Sequence, residues 1–411
     1  MGPEARAVSI VEKRARAVVE RYGFNEIRVP LLERAELYQR SSGETSDVVE
    51  KQMYTFSDHD EAETLLALRP EGTPGVVRAY IEAGLDRSDP EQRFYYSGPM
   101  FRRERPQKGR FRQFHQFGVE IFGRGDAACD AEMLIMIDDL RRDLGLDLEF
   151  QINSLGDGQC RPAFRAALLE WGRAHLDELC ADCHQRLERN PLRLLDCKTD
   201  VQRTENAPRS LNYLCDPCAK HFATVESLLK QAGVRYVVNS RLVRGLDYYV
   251  RTAFEVVSSA VGSQSAVIAG GRYDGLVEAL GGAAIPGVGF AIGVERIALA
   301  LPADLSDTPF APDAAIISLG AAAALESAST LARDLRGAGL RIEMLSPERG
   351  LKALLRRADK LGARYAVIIG ENEIARGIVQ LRDLKRSAQH EVAPAEVAAM
   401  IRDTANESVA G

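Results

Sequence analysis

The densest charge in this sequence lies in a short arginine-rich segment, residues 101–112 (FRRERPQKGRFR). It holds six basic residues and one acidic residue, a net charge of +5 over twelve positions. Pro106 and Gly109 favour a turn or an extended hairpin loop over a helix. Because the planar guanidinium of arginine can make two charge-assisted hydrogen bonds to phosphate, such a loop suits a polyanion. A solvated basic loop without a fixed partner is the alternative.

The residues that follow this segment alternate as a β-strand does. In QFHQFGVE (113–120), Gln116, Gly118 and Glu120 share one face, and apolar residues occupy the other. Polar groups on one strand face indicate a site. An exposed face of an antiparallel sheet would give the same pattern.

A carboxylate and a hydroxyl flank a glycine in RPEGT (69–73). Glu71 and Thr73 are of the types that could bind an ammonium group, although the segment alone is a weak signal.

Two segments place arginine, glycine and tyrosine together at predicted strand ends, RLVRGLDYYVRTAFEVV (241–257) and AGGRYDG (269–275). Gly270 and Gly271 would let a ligand approach the backbone closely. A turn beside packed aromatic residues is the alternative for each segment.

A glycine-punctuated strand leads into an apolar helix in GVGFAIGVERIALAL (287–301). Arg296 is its one basic residue, and an arginine on a buried side needs an anionic partner. The glycines do not fit the dinucleotide-binding fingerprint, and the chain has no G-x-x-x-x-G-K-[ST] phosphate loop. We therefore expect any bound nucleotide to be held by arginines on an antiparallel sheet.

The composition indicates that any phosphate groups are bound by local clusters of basic residues. The 411 residues include 53 basic and 59 acidic side chains, a net charge of −6, which excludes a uniformly basic coat. The first twenty residues lack the apolar core of a signal peptide, and no run of 18 apolar residues occurs. We expect a cytoplasmic protein that does not bind membranes. The odd count of seven cysteines argues against a complete disulfide framework.

The order of patterns predicts several domains. Strand-like segments often joined without long helices indicate an α+β domain with an antiparallel sheet over 1–156 and 236–302, interrupted by a helical, cysteine-rich insertion over 157–235. A proline-containing linker follows over 303–312. Strands alternate with amphipathic helices over 313–411, which predicts a small α/β domain with a mostly parallel sheet.

Four basic residues of the tail, spaced three, four and four apart, predict a basic stripe on one helix face: Arg349, Lys352, Arg356 and Lys360. A solvated helix face is the alternative.

These segments resemble the motifs of class II aminoacyl-tRNA synthetases. EIRVPLLE resembles motif 1, FRRERPQKGRFRQFHQFGVE motif 2 and GVGFAIGVERIALAL motif 3, while LVRGLDYYVRTAFE and AGGRYDG are similar to the histidine-specific pair of the histidyl-tRNA synthetase family. The resemblance spans about residues 3–405. It implies a bacterial-type class II catalytic fold, the helical insertion and a C-terminal α/β anticodon-binding domain.

The resemblance also implies an activity and its partners. The expected enzyme is a homodimeric histidine–tRNA ligase that activates L-histidine with ATP and Mg²⁺ to histidyl-adenylate and then charges tRNA(His). Neutral imidazole has one N–H donor and one acceptor nitrogen, so a carboxylate and a phenol can match both. The alternative is a non-catalytic synthetase-like regulatory subunit of ATP phosphoribosyltransferase, which normally lacks the anticodon-binding domain.

Site roles follow from the resemblance residue by residue. The implied catalytic residues are Arg102, Arg244 and Arg296, and the implied ATP-binding residues are these three together with Arg110. The implied histidine-binding residues are Glu71, Gly72, Thr73, Gln116, Glu120, Tyr248, Tyr249 and Tyr273. The implied tRNA contacts are Arg105, Gln107 and the four basic residues of the tail.

Two features depart from the family pattern. An R-G-[TM]-x-D segment usually precedes the first helix, and we expect either a misassigned start or a missing strand. Two C-x-x-C pairs, Cys180 with Cys183 and Cys215 with Cys218, form a candidate four-thiolate zinc site. Their 31-residue separation is long for zinc fingers, so reduced, partly buried thiols are the preferred interpretation.

Overall fold

The chain folds into two units with separate hydrophobic cores, Met1–Ser306 and Asp307–Gly411. The structure is a computed structural model that describes residues 2–42, 51–58, 64–105, 108–246, 248–262, 266–303, 311–320, 322–345 and 348–407. No helix within these ranges is long and apolar enough to cross a membrane.

The first unit combines helices with one large and one small sheet. Its described α-helices are α1 (Pro3–Arg21), α2 (Ala35–Ser42), α3 (Thr73–Glu82), α4 (Leu85–Ser88), α5 (Ala127–Asp143), α6 (Arg161–Ala174), α7 (Ala181–Arg189), α8 (Asp216–Gln231), α9 (Leu276–Ala279) and α10 (Val294–Ala300). Its described strands are β1 (Asn25–Glu26), β2 (Leu32–Arg34), β3 (Tyr54–Ser57), β4 (Leu65–Leu68), β5 (Gln92–Phe101), β6 (Gln113–Phe122), β7 (Glu149–Ser154), β8 (Val237–Val238), β9 (Val250–Val257), β10 (Ala266–Arg272) and β11 (Gly287–Gly293).

The large sheet is antiparallel through its centre, as the sequence predicts. Its strand order is β1-β5-β6-β11-β10-β9-β7-β8, and only the short edge strands β1 and β8 pair in parallel among the described residues. Strands β5 and β6 pair from Gln92 opposite Phe122 to Phe101 opposite Gln113. The arginine-rich segment 101–112 is therefore their hairpin connection. Strands β2, β4 and β3 form a separate small sheet.

Helices α1 and α5 pack on the large sheet because each buries a regularly spaced apolar stripe. In α1 the stripe includes Val11, Ala15 and Val18, all fully buried. Helix α5 begins at an N-cap, where the Asp126 carboxylate accepts a hydrogen bond from the backbone N–H of Cys129 at 3.1 Å. Apolar residues of both helices join Phe117 and other strand residues in one core.

The segment 157–235 is mainly helical and remains within the first unit. It contains α6, α7 and α8 with short 3₁₀ turns at Leu176–Glu178, Pro191–Leu194 and Ser210–Tyr213. Helix α8 shares the core of the sheet, and its His221 contacts the fully buried Asp130 of α5 at 2.7 Å. The buried Arg272 binds the same carboxylate, so this ion-pair group joins the segment to β10.

The second unit is a mixed, not mostly parallel, α/β fold. Its described strands are β12 (Ala314–Ser318), β13 (Ile342–Met344), β14 (Tyr365–Ile369), β15 (Val379–Asp383) and β16 (Gln389–Val392), in the order β13-β12-β14-β15-β16. Its described α-helices are α11 (Ala322–Gly337), α12 (Leu351–Lys360), α13 (Glu371–Arg376) and α14 (Val397–Glu407).

The expectation of a mostly parallel sheet in this unit is wrong at its last two strands. Strands β13, β12 and β14 pair in parallel, whereas β15 and β16 are antiparallel. The reason is that both connections, 370–378 between β14 and β15 and 384–388 between β15 and β16, are shorter than the roughly dozen residues that a parallel crossover needs. Two short 3₁₀ segments complete the described elements, Ser259–Val261 in the first unit and Pro394–Glu396 in the second.

Candidate active site

A cavity of about 250 Å³ lies among the central strands of the first unit. Residues of β5, β6, β9, β10 and β11 line it. Most of the side chains singled out in the sequence meet on its wall: Glu71, Thr73, Arg102, Arg110, Gln116, Glu120, Arg244, Tyr249, Tyr273 and Arg296. The β6 alternation is as predicted, since Gln116 and Glu120 face the cavity while Phe117 and Val119 belong to the core.

Glu120 is the most deeply buried acid of this wall, with 1% of its surface exposed. Thr73 donates a hydrogen bond to it at 2.7 Å, and the hydroxyl of Tyr273 donates a second. Burial raises the pKa of Glu120 to about 8, although both hydroxyl donors work in the opposite direction. Burial thus favours the protonated form of Glu120.

A second acid and an amide lie near this carboxyl group. Glu71 is buried just before α3, and Tyr248 donates a hydrogen bond to it at 3.0 Å. Tyr248 packs against the rings of Tyr249 and Tyr273 but does not line the cavity, so it supports the wall from behind. Gln116 Oε1 is buried without a hydrogen-bond partner among the described residues, which leaves an acceptor for a ligand.

Glycines make room for the large side chains of this wall. Tyr96 of β5 lies directly opposite Gly118 of β6 and also against Gly72, so a Cβ at either glycine would collide with its ring. A Cβ at Gly289 of β11 would collide with the Glu120 carboxylate. Sequence reasoning did not select Tyr96. Its position in a strand beside a glycine-containing partner strand was the available signal.

Gly270 does not provide a ligand approach, contrary to expectation. A Cβ there would meet the carbonyl oxygen of Gly289 and the side chains of Phe254 and Phe290. Closely packed protein thus already fills the space beside Gly270. Gly271 lies against Tyr249, with a Cβ-to-ring distance of 2.9 Å if a Cβ were added.

Arginines cluster at the other end of the cavity. Arg102 donates from Nε to the carbonyl oxygen of Pro70 at 2.9 Å, and its guanidinium lies 5.2 Å from the centre of the Phe114 ring. Arg244 forms an ion pair with Glu255 and lies 5.3 Å from the centre of the Tyr249 ring. Burial opposes its charge, yet the Glu255 carboxylate holds the Arg244 pKa above its ordinary value.

Arg110 and Arg296 bring two like charges together at this end. Arg110 pairs with Glu104 at 2.8 Å, and both residues line the cavity. Burial lowers the pKa of Arg296, and the positive charge of Arg110 lowers it further. Two neighbouring cations in a partly buried wall favour an anionic ligand between them.

The start of α10 is fastened to β6 through one carboxylate. Glu295 accepts a hydrogen bond from the backbone N–H of His115 at 2.9 Å and contacts His115 Nδ1 at 2.8 Å. Glu295 directly precedes Arg296. This contact therefore positions Arg296 relative to the strand that holds Gln116 and Glu120. Glu255, Glu104 and Glu295 are all site residues that the sequence reasoning did not select.

The predicted tRNA-contacting residues are exposed wherever the structure describes them. Arg105 is exposed in the hairpin connection and does not line the cavity, while Gln107 lies outside the described residues. In the second unit Lys352, Arg356 and Lys360 are exposed on α12. Arg349 is exposed but precedes the helix, whose N-cap is Gly350, so the predicted stripe has three helical members rather than four.

The predicted four-thiolate set is wrong in its membership. Cys180 and Cys183 lie at the start of α7, and Cys215 and Cys218 lie at the start of α8, where each pair meets different partners. The structure contains two groups, which we call the first cysteine group (Asp157, Cys160, Cys215, Cys218) and the second cysteine group (Cys180, Cys183, Cys197, Asp200). Cys197 belongs to neither C-x-x-C motif.

Comparison with known proteins agrees with this fold. Residues 1–297 match the family model described as histidyl-tRNA synthetase, and residues 313–404 match the one described as anticodon binding domain. A protein named histidine–tRNA ligase from Anaeromyxobacter dehalogenans is 50% identical over 395 residues, which are 95% of this chain and 94% of that protein.

Solved structures give the same relationship. The apo histidyl-tRNA synthetase of S. aureus has a TM-score of 0.76 and 30% identity, covering 97% of this chain and 96% of the other. A structure titled ATP phosphoribosyltransferase regulatory subunit/histidyl-tRNA synthetase, from Bacillus halodurans C, has a TM-score of 0.63 and 20% identity, covering 89% and 94% of the two chains. At that identity the second likeness shows the fold alone.

The antiparallel sheet, with arginines of its β5–β6 hairpin and of α10 around one cavity, defines the catalytic fold of a class II aminoacyl-tRNA synthetase. The matched family model covers most of the chain, and the curated relative is half identical over nearly its whole length. The chain belongs to the histidyl-tRNA synthetase family.

Proposed function

We propose that the cavity of the first unit is where this histidine–tRNA ligase forms histidyl-adenylate from L-histidine and ATP. The observation that carries the proposal is that the two ends of the cavity differ in chemistry. A buried carboxyl group with hydroxyl partners lies at one end, and several arginines lie at the other. A ligand with an imidazole and a reactive carboxylate, placed beside a triphosphate, fits this arrangement.

The end containing Glu120, which we call the histidine end, would recognise both imidazole nitrogens. Glu120 accepts the imidazole N–H, and the hydroxyl of Tyr249 contacts the other nitrogen, with Tyr273 packed beside them. Analogues that lack these groups would leave buried polar atoms unpaired, which can give roughly 10⁴–10⁵-fold discrimination without editing.

The α-amino group of histidine is assigned to three residues near α3 and β6. Glu71 supplies negative charge, and Thr73 and Gln116 supply oxygen acceptors, with Gly72 beside them. Gln116 Oε1, which is buried without a partner among the described residues, supports this assignment. The carboxylate of the amino acid would then point toward the arginines.

The end containing these arginines, which we call the phosphate end, would stabilise the reacting phosphate. A histidine carboxylate oxygen attacks the α-phosphorus, the bond to the β-phosphate oxygen breaks, and pyrophosphate leaves. Arg102 and Arg244 face the charge that develops on the α-phosphate, and Arg296 and Arg110 bind the outer phosphates. Preplaced donors of this kind contribute a few kcal/mol each. In the second step the 3′-terminal hydroxyl of tRNA(His) attacks the activated carbonyl carbon, and AMP leaves.

Mg²⁺ is proposed as the companion of ATP. The carboxylate of Glu255 lies on the cavity wall and is a hard oxygen donor of the type that Mg²⁺ prefers. The ion would neutralise charge on the departing pyrophosphate.

The remaining assignments concern the macromolecular partner and the chain's organisation. Arg105 and Gln107 are proposed to reach the acceptor end of the tRNA, with 1–156 and 236–302 as catalytic domain, 157–235 as insertion and 303–312 as linker. The unit over 313–411 is proposed to bind the anticodon region. A cytoplasmic homodimer is the proposed form of the enzyme.

Histidine-dependent exchange of labelled pyrophosphate into ATP tests the proposed activity. We expect exchange with L-histidine and none with other amino acids, since only an imidazole meets both Glu120 and Tyr249. Charging of tRNA(His) should require the same pocket. A pure chain that binds ATP but shows no exchange with histidine would instead support the regulatory-subunit alternative.

The proposed tRNA surface has a separate test. Changing Lys352, Arg356 and Lys360 together to Ala should reduce the slope of log Kd for tRNA(His) against log salt concentration by about two to three, because each phosphate contact releases counterions. Pyrophosphate exchange should remain at the wild-type rate. An unchanged salt slope would remove α12 from the tRNA surface.

A further inference from the structure

Six of the seven cysteines of the chain gather in the two cysteine groups. Each group contains three cysteines and one aspartate. Within each, one sulfur or carboxylate oxygen atom per residue lies within 4.8 Å of the other three. The seventh, Cys129, is buried in α5 among core residues.

The two groups share one construction. Each contains a C-x-x-C pair whose first cysteine is the N-cap of a helix, Cys180 for α7 and Cys215 for α8. Each is completed by one cysteine and one aspartate three residues apart, in the order Asp157 then Cys160 in the first group and Cys197 then Asp200 in the second. Two independent segments thus provide two donors each, as in closed structural zinc sites.

Four donor-to-donor distances in the two groups match those around a tetrahedral ion. With Zn–S of about 2.3 Å and Zn–O of about 2.0 Å, tetrahedral geometry places two sulfurs about 3.8 Å apart and a sulfur and an oxygen about 3.5 Å apart. The Sγ atoms of Cys180 and Cys197 are 3.7 Å apart. Sulfur-to-carboxylate distances are 3.5 and 3.8 Å from Asp157 to Cys160 and Cys215. The corresponding distance from Cys197 to Asp200 is 3.6 Å.

Both aspartates are oriented by groups outside the cluster. Asp157 turns Oδ1 toward the cysteines, while Arg251 donates to its Oδ2 at 3.3 Å. Asp200 turns Oδ2 toward Cys197, while Arg203 donates to its Oδ1 at 2.9 Å. An arginine that fixes the second oxygen of a carboxylate ligand is the kind of outer partner that metal sites use.

Few apolar residues pack around the second cysteine group. Its apolar surroundings consist of a small cluster that includes Leu179, Leu187 and Leu194, apart from the main cores. Asp200 is fully buried there beside the sulfurs of Cys183 and Cys197. A small cluster of this kind gains stability from a metal ion that links its segments.

We propose that the segment 157–235 holds two structural zinc ions, one in the first cysteine group and one in the second, each bound by three thiolates and one carboxylate. Four protein donors close each site, so the ions stabilise structure and leave no position for substrate. Soft sulfur donors in tetrahedral geometry select zinc over the hard cations. Binding releases the thiol protons.

The two ions have different consequences for the active site. Arg161, next to Cys160, donates to the carbonyl oxygen of Tyr249 at 3.1 Å. Arg251, which holds Asp157, lies two residues after Tyr249. The first cysteine group therefore supports a wall of the cavity. At the second group, Asp196 next to Cys197 interacts electrostatically with Arg244 of the cavity wall. Losing the second ion should therefore affect stability more than it affects the histidine KM.

Metal content of the full-length chain, purified without chelator, tests the proposal. We expect two zinc ions per chain, one in the Cys218→Ser variant, one in the Cys183→Ser variant and two in the matched control Cys129→Ala. A single four-thiolate site would give one zinc per chain, lost in both Ser variants, and would overturn the proposal. Two irons per chain, or less than about half a metal ion per chain, would also overturn it.

A measurement on the unaltered protein covers the case in which a Ser variant does not fold. Native mass spectrometry should show a mass increase of two zinc ions, and X-ray absorption at the zinc edge should give an average of three sulfurs and one oxygen or nitrogen per ion. An average of four sulfurs, or disulfide-linked cysteines in place of the metal, would contradict the assigned ligands. Neither measurement depends on aminoacylation activity, so the two proposals fail separately.

Discussion

The histidine end and the phosphate end of the cavity are built in opposite ways. At the histidine end Glu120 is buried, and neutral hydroxyl groups of Thr73 and Tyr273 satisfy it. At the phosphate end Arg244 pairs with Glu255, and the partners of the Arg110–Glu104 pair keep 31% and 14% of their side-chain surface exposed. Burial and hydrogen bonds hold the Glu120 side chain in place at the histidine end. Ion pairs with carboxylates hold the arginine side chains at the phosphate end.

This difference assigns different tasks to the two ends. A buried, hydrogen-bonded carboxyl group cannot move without exposing unpaired polar atoms, so the histidine end is ready for its ligand. Triphosphate oxygens can replace the carboxylates as partners of these arginines, so the ion pairs can exchange when ATP binds. We therefore expect selectivity to depend on the first end and rate on the second.

The largest expected effect comes from Glu120→Gln. The neutral amide accepts the imidazole N–H less well than a carboxylate does, and its NH2 group cannot accept the hydrogen bond that Thr73 or Tyr273 donates. As a result, kcat/KM for histidine in pyrophosphate exchange should fall on the order of 10³-fold. KM for ATP should change little. If KM for ATP rose as much as KM for histidine, the two ends would not be independent.

Arg244→Ala should lower kcat of exchange by about 10²-fold, since it removes a donor to the charge that develops in the transition state. KM for histidine should stay close to that of the wild type. Comparing the double variant Arg244→Ala, Glu255→Gln with Glu255→Gln alone separates the loss of Arg244 from the carboxylate left unpaired and from the loss of the proposed Mg²⁺ donor. A rise in KM for histidine without loss of kcat would place Arg244 in binding instead of catalysis.

Histidine binding should release a proton near neutral pH. Glu120 is protonated in the empty cavity because its pKa is raised to about 8, and it must ionise to accept an imidazole N–H. Affinity should therefore rise with pH, by at most about tenfold per unit, up to about pH 8 and then level off. Calorimetry in two buffers of different ionisation enthalpy measures the released proton. Binding heats independent of the buffer would show that Glu120 keeps its proton.

The smallest expected effect is that of Glu104→Gln. This change frees Arg110 from its partly exposed ion pair, so KM for ATP should fall a few-fold, in line with the modest strength of such pairs. KM for histidine should not respond. An increase in KM for ATP would mean that Glu104 orients Arg110 and does not compete with phosphate for it.

Much of the active site could be predicted because it depends on local patterns. Alternation along 113–120 placed Gln116 and Glu120 on one face, and the basic hairpin was recognisable from its composition. The partners of those residues were less accessible. Glu255 lies eleven positions after Arg244, and Glu295 lies 180 positions after His115, so only the folded sheet brings each pair together.

The cysteines also show that sequence patterns do not reveal which distant segments meet in the fold. Each C-x-x-C pair was visible, and joining the two pairs was the simplest interpretation. Whether two pairs meet is decided by helix placement, and here α7 and α8 each turn their first residues toward a different segment. Asp157 and Asp200 belong to no recognisable sequence motif, so their place in the two groups could not be predicted.

The glycines opposite Tyr96 and beside Glu120 also bear on how this pocket can change in evolution. Because Gly118 and Gly289 leave no space for a methyl group, the wall cannot be narrowed one residue at a time without displacing Tyr96 or Glu120. A change of specificity to another amino acid would first need a smaller residue at Tyr96 or Glu120. The enzyme with that single substitution would already bind histidine more weakly. On the proposed role of Glu120, a change of substrate would therefore require at least two coupled substitutions in this wall.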